Sequence, residues 1–97
     1  MNETGIKDQV IREIIELAQR HGIEKVILFG SRARGDYHRA SDIDLAVCGG
    51  NVAAFSLDVE EMTSTLLTYD VVDMKKKLHK ALLESIETDG NILYEKI

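Results

Sequence analysis

The sequence predicts an α/β (α+β) fold: a small mixed sheet of three to four strands flanked by helices, the first two strands antiparallel and the third parallel to the second. Stretches with apolar residues at three- and four-residue spacing alternate with short β-branched runs, in the order αβ(α)βαβα(β). The strand directions follow from a Gly-Ser turn and three aspartates, which meet at one end of the sheet only in that arrangement.

Ile6, Val10, Ile14 and Leu17 mark an amphipathic helix from about Ile6 to His21, with Gly22 as its stop. Lys25–Phe29 is β-branched and aromatic and runs into Gly30-Ser31, which reads as a buried strand entering a turn. The polar, arginine-rich segment Arg32–Ser41 has room for one or two helical turns and a loop. Ile43, Leu45 and Val47 then alternate with Asp42, Asp44 and Ala46, a second strand with two acids on one face. Gly49-Gly50-Asn51 ends it. Phe55, Val59, Met62 and Leu66 predict a helix, with Asp58 and Glu61 placed to cap its regular part. Tyr69–Met74 is a third strand, and Leu78, Leu82, Leu83 and Ile86 describe a last helix closed by Gly90. Ile92–Tyr94 adds a short edge strand.

A chain of 97 residues is enough for one domain, 1–97, with a single core. Apolar residues at 44% and charged residues at 30% put it in the ordinary globular class. The net charge of -5 opposes general binding to nucleic acid or to an anionic membrane. No apolar run approaches the ~20 residues of a membrane span, and the start Met-Asn-Glu-Thr-Gly lacks a leader pattern. A cytoplasmic location is therefore expected. Cys48 is the one cysteine, so there is neither an internal disulfide nor a Cys/His zinc cluster.

The chemistry is concentrated between Phe29 and Leu45. A strand that ends in Gly-Ser and enters a helical turn offers backbone N–H groups and a hydroxyl, and glycine lets a phosphate approach the main chain. Asp42 and Asp44, at i and i+2 on a strand, point to one side about 7 Å apart and suit a hard cation such as magnesium. A phosphate cradle beside paired carboxylates is what nucleotidyl transfer requires. The third strand opens with Asp70, which reaches the same end of the sheet and supplies a third carboxylate. Asp73, three positions on, reads as a turn or cap acid and as the substitute for Asp70 if the register slips.

Gly30-Ser31, ten intervening residues, then Asp42-x-Asp44 between apolar residues, with a later acid in an apolar strand, resembles the nucleotidyltransferase superfamily that includes DNA polymerase beta. Within it, the chain looks most like the minimal nucleotidyltransferases, over nearly its whole length. That resemblance implies two magnesium ions bound by Asp42 and Asp44, with Asp70 as the third carboxylate, either ligand or general base. It implies that Gly30 and Ser31 hold the β- and γ-phosphates and that Arg34 meets the triphosphate, with Arg32 as a further candidate for the phosphates. The implied reaction passes AMP from ATP to an acceptor hydroxyl and releases pyrophosphate. Larger members carry a further domain for the second substrate, which 97 residues do not accommodate, so the acceptor is expected on another chain. In the family such chains pair with a small all-helical HEPN-type protein, and the resemblance implies an antitoxin that adenylylates a tyrosine of that toxin. Two rivals stand beside it: a two-chain transferase that modifies a small molecule, and a module that masks a toxin without turnover.

Other residues read more plainly. Cys48 is a small packing residue. His21, His38 and His79 are surface residues, His38 being the one within approach of the phosphates. Lys75, Lys76, Lys77 and Lys80 form a solvated basic face, with an acidic partner or RNA as the other use.

Overall fold

The computed structural model describes residues 4–97; Met1–Glu3, part of the start examined for a leader, lie outside them. The first apolar stripe becomes α1, Asp8–Arg20, burying Val10, Ile11, Ile14, Leu17 and Ala18. Asp8 in its first turn and Arg20 in its last both complement the helix dipole. At its end Ile23 N–H donates to Ala18 O at 2.9 Å, so the chain reverses at Gly22 and feeds the first strand.

The remaining elements are β1 (Lys25–Phe29), α2 (Ser31–Arg34), β2 (Ile43–Cys48), α3 (Val52–Met62), β3 (Tyr69–Asp73), α4 (Lys80–Asp89) and β4 (Asn91–Glu95). The sheet order is β3-β2-β1-β4. β1 is antiparallel to β2 and to β4, and β2 is parallel to β3. This is the mixed sheet expected from the sequence, with the Ile92–Tyr94 run as an edge strand.

Alternation along the strands divides the side chains between two layers. Val26, Leu28, Ile43, Leu45, Val47 and Leu93 join the buried faces of α1 and α3, including Ile14, Leu17, Phe55 and Val59. Each such side chain contributes roughly 1.5–3 kcal/mol by leaving water. On the opposite face Phe29 and Ala46 meet Ile86 of α4, with Ile27, Val72 and Leu82 partly buried beside them. No helix among the described residues is long and apolar enough to cross a membrane.

Two local expectations are corrected. The third helix stops at Met62, and Leu66 lies beyond it, fully exposed. The reason is Glu13 of α1, whose carboxylate accepts from Ser64 N–H and Oγ at 2.7 Å each and draws the chain off the helix axis. The cap is Asn51, whose Oδ1 accepts from Ala54 N–H at 3.1 Å, while Asp58 pairs with His21 Nε2 at 2.6 Å. Gly90 caps α4 as expected, its N–H donating to Ile86 O at 2.9 Å, in an extended conformation of φ -63° and ψ 135°. Glycine fits there because a Cβ would collide with Ile86 O and Ile27 Cγ2.

Candidate active site

β1 delivers the chain to Gly30 at the sheet end where β2 begins, because the antiparallel register pairs Phe29 with Asp44. Gly30 has φ 77°, a region that L side chains rarely adopt. A Cβ there would also overlap Asp44 Oδ2, so glycine allows the carboxylate to pack against the main chain. Ser31 opens α2, a single turn closed by Gly35 in the left-handed region. The first amides of such a turn have no partner within it and remain able to bind an anion.

The parallel register sets Asp44 opposite Asp70 on neighbouring strands, both on the face that carries α4. Asp44 is half-buried, whereas Asp42, just before β2, and Asp70, on the edge strand, are exposed. Burial, then the negative charges of Asp70 and Asp42, push the Asp44 carboxyl up to about 6, and the positive charges of Arg34 and Arg32 oppose this. Asp42 accepts a hydrogen bond from the Thr68 hydroxyl. The three acids share one end of the sheet, but among the described residues they do not close into a three-ligand metal cluster. Their hard, anionic oxygens and mutual repulsion are nonetheless the donor chemistry that a divalent cation such as magnesium requires.

The two arginines separate. Arg34 lies at the end of α2, partly exposed, with Nε 3.2 Å from Asp36 Oδ2 and Nη1 3.3 Å from Asp89 Oδ2. Both contacts raise the affinity of its guanidinium for its proton. Arg32 is 2% exposed and is a correction to the phosphate-binding set. Its Nη1 donates to Thr4 O at 2.9 Å, Nε to Ser41 O at 3.0 Å and Nη2 to Arg39 O at 3.2 Å, and Tyr37 covers its face. A guanidinium engaged in this way on three sides ties the loop after α2 to the segment before α1 and has no edge to offer a phosphate.

His38 is exposed, and its backbone N–H donates to Ser41 Oγ at 2.7 Å. Cys48 sits at the far end of β2, half-buried, away from the acids. Asp73 ends β3, where its Oδ1 accepts from Lys75 N–H at 2.9 Å, the turn role expected of it. Two grooves of about 770 and 710 Å³ flank the α3–β3 loop and the edge strand, and neither is lined by Asp42, Asp44 or Asp70. Sequence reasoning missed Asp89: nothing in a helix-terminal acid 55 positions downstream marks it as the partner of Arg34.

The family model described as "Polymerase beta, Nucleotidyltransferase" matches residues 12–97. A Methanocaldococcus jannaschii protein named "Putative protein adenylyltransferase MJ0604" is 33% identical over 106 residues, which span 97% of this chain and 100% of that protein. A crystal structure of a toxin-antitoxin with AMP-PNP superimposes with a TM-score of 0.71 at 24% identity, over 89% of this chain and 73% of the other. A chain described as a "putative minimal nucleotidyltransferase" superimposes with a TM-score of 0.64 at 29% identity, over 84% of this chain and 86% of the other.

Proposed function

The chain belongs to the polymerase beta nucleotidyltransferase family, and on that premise we propose that it transfers AMP from ATP to a hydroxyl on a partner protein and so restrains a toxin. The observation that carries the site is the register of Asp44 opposite Asp70, beside a glycine whose missing side chain admits the Asp44 carboxylate. The M. jannaschii relative, by its name, supports a protein acceptor, and the toxin-antitoxin structure with AMP-PNP supports ATP as donor. The partner assigned by the family resemblance is a small all-helical protein of the HEPN type.

In this reading Gly30 and Ser31 receive the β- and γ-phosphates on main-chain N–H groups and the serine hydroxyl, and Arg34 adds a charged donor. Asp42 and Asp44 would hold two magnesium ions, which would neutralise the triphosphate, with Asp70 as the third carboxylate beside them. Asp44, anchored between two strands, fixes the position of the charge. Asp70 lies exposed on the edge strand, open to an incoming substrate, and accepts the proton of the acceptor hydroxyl. The new bond joins that oxygen to the α-phosphorus, the α–β phosphoanhydride bond breaks, and pyrophosphate leaves.

The test is incubation of the chain with ATP labelled on the α-phosphate, magnesium and a purified small all-helical partner protein of the HEPN type. Label on that protein, lost in the Asp42→Ala/Asp44→Ala variant, is the expected result. Label on a small acceptor instead would move the reaction to small-molecule modification. No label, with toxicity still neutralised by the double variant, would overturn the enzymatic account.

A further inference from the structure

We propose that Asp89, the last residue of α4, is a positioning residue that latches Arg34, so that an incoming triphosphate has to displace a carboxylate before it can use this arginine. The proposal rests on the reading of Arg34 as a phosphate contact.

Arg34 ends the turn that begins at Gly30-Ser31, and its charge reaches Asp44, so it lies within the electrostatic range of the carboxylates. Two carboxylates hold it. Asp36 is two residues away and exposed, a local pair that a competing anion displaces easily. Asp89 differs: its side chain is 20% exposed, it belongs to a helix packed on the sheet, and its Oδ2 lies 3.5 Å from Ser85 Oγ as well as 3.3 Å from Arg34 Nη1. A fixed carboxylate on a guanidinium presents the anionic oxygen that a phosphate would present.

The charge balance explains what the latch does. Asp42, Asp44 and Asp70 already make this end of the sheet negative, and Arg32 is engaged with main-chain carbonyls. With Asp36 and Asp89 on it, Arg34 contributes little net positive charge. An anion that uses this guanidinium has to displace the Asp89 carboxylate first. The latch therefore weakens the binding of a nucleotide that uses Arg34.

The test is calorimetric titration of the full chain with a non-hydrolysable ATP analogue in the presence of magnesium. Asp89→Asn is expected to tighten binding about three- to fivefold, the scale of a partly exposed ion pair. Asp89→Glu, which keeps the carboxylate, should stay within about twofold of the parent. In an Arg34→Gln background, Asp89→Asn should change affinity by less than about twofold. Unchanged or weaker binding by a folded Asp89→Asn variant overturns the latch and leaves the nucleotide site standing. Equal tightening with and without Arg34 also overturns it, since the effect would then be that of a general field. A parent chain that binds no analogue at all overturns both the latch and the reading of the site beneath it.

Discussion

Asp44 and Asp70 face each other across the parallel β2–β3 pair, with Asp42 near enough for its charge to act on Asp44. Three carboxylates at one sheet end are an electrostatic cost that the fold tolerates without a cation, and that cost is measurable. The native Asp44 carboxyl titrates at about 6, against 3.8 for an unperturbed one. Between those values the native state holds a proton that the unfolded chain has released, so stability falls as pH rises from about 4 to about 6 and the full penalty persists above.

Asp44→Asn is therefore expected to abolish transfer and yet to stabilise the metal-free protein at neutral pH. The gain should be roughly 1–2 kcal/mol, less than the whole shift would give because the carboxylate remains partly open to water. Urea titrations in a chelator at several pH values check this: the gap between variant and parent should be largest above pH ~6 and close toward pH ~4. A variant less stable than the parent at pH 7 would give Asp44 a structural role instead.

Arg32→Ala should behave in the opposite way. It leaves the carbonyls of Thr4, Ser41 and Arg39 without their donor in a nearly dry site, at a cost of about 3 kcal/mol. Arg32→Lys should not rescue it, because one ammonium cannot reproduce the planar fork that meets separate carbonyls. Thermal unfolding of both variants measures the loss, and an Arg32→Ala variant as stable as the parent but defective in nucleotide binding would return Arg32 to the phosphates.

These two residues also mark what the sequence could and could not say. The places of Asp42, Asp44, Asp70, Gly30 and Ser31 in the fold were legible because each is tied to strand alternation or to a strand-to-turn transition, which leave a local pattern in the chain. Arg32 was not, because its partners are main-chain carbonyls of Thr4, Ser41 and Arg39, and no residue type announces them. The end of α3 was missed for a related reason: Leu66 continues the helical spacing, but Glu13, 51 residues earlier, claims Ser64 and stops the helix first. Tertiary hydrogen bonds of high sequence separation leave no periodic trace.

Gly30→Ala is expected to remove transfer and to lower stability by about 1–3 kcal/mol, since a Cβ meets both the positive φ and the Asp44 carboxylate. Combining it with Asp44→Asn should not restore activity, and the loss caused by Gly30→Ala should be smaller in the Asn background than in the parent if the contact with the charged carboxylate contributes. Equilibrium unfolding of the two single variants and the double variant forms the cycle that decides this.

Asp70→Asn separates binding from chemistry. Asp70 stands exposed on the edge strand, whereas the cradle and Asp44 lie on β1, α2 and β2, so the nucleotide keeps most of its contacts when Asp70 is neutralised. Affinity for an ATP analogue should change by no more than about threefold, while the rate of transfer in a single turnover falls by about 10²–10⁴, the usual range for losing a general base. Raising the pH should recover part of the lost rate, as more of the acceptor hydroxyl ionises without help. Should affinity and rate fall together by the same factor, Asp70 would be holding the nucleotide and its metal rather than receiving the proton, and the base would have to be sought on the partner chain.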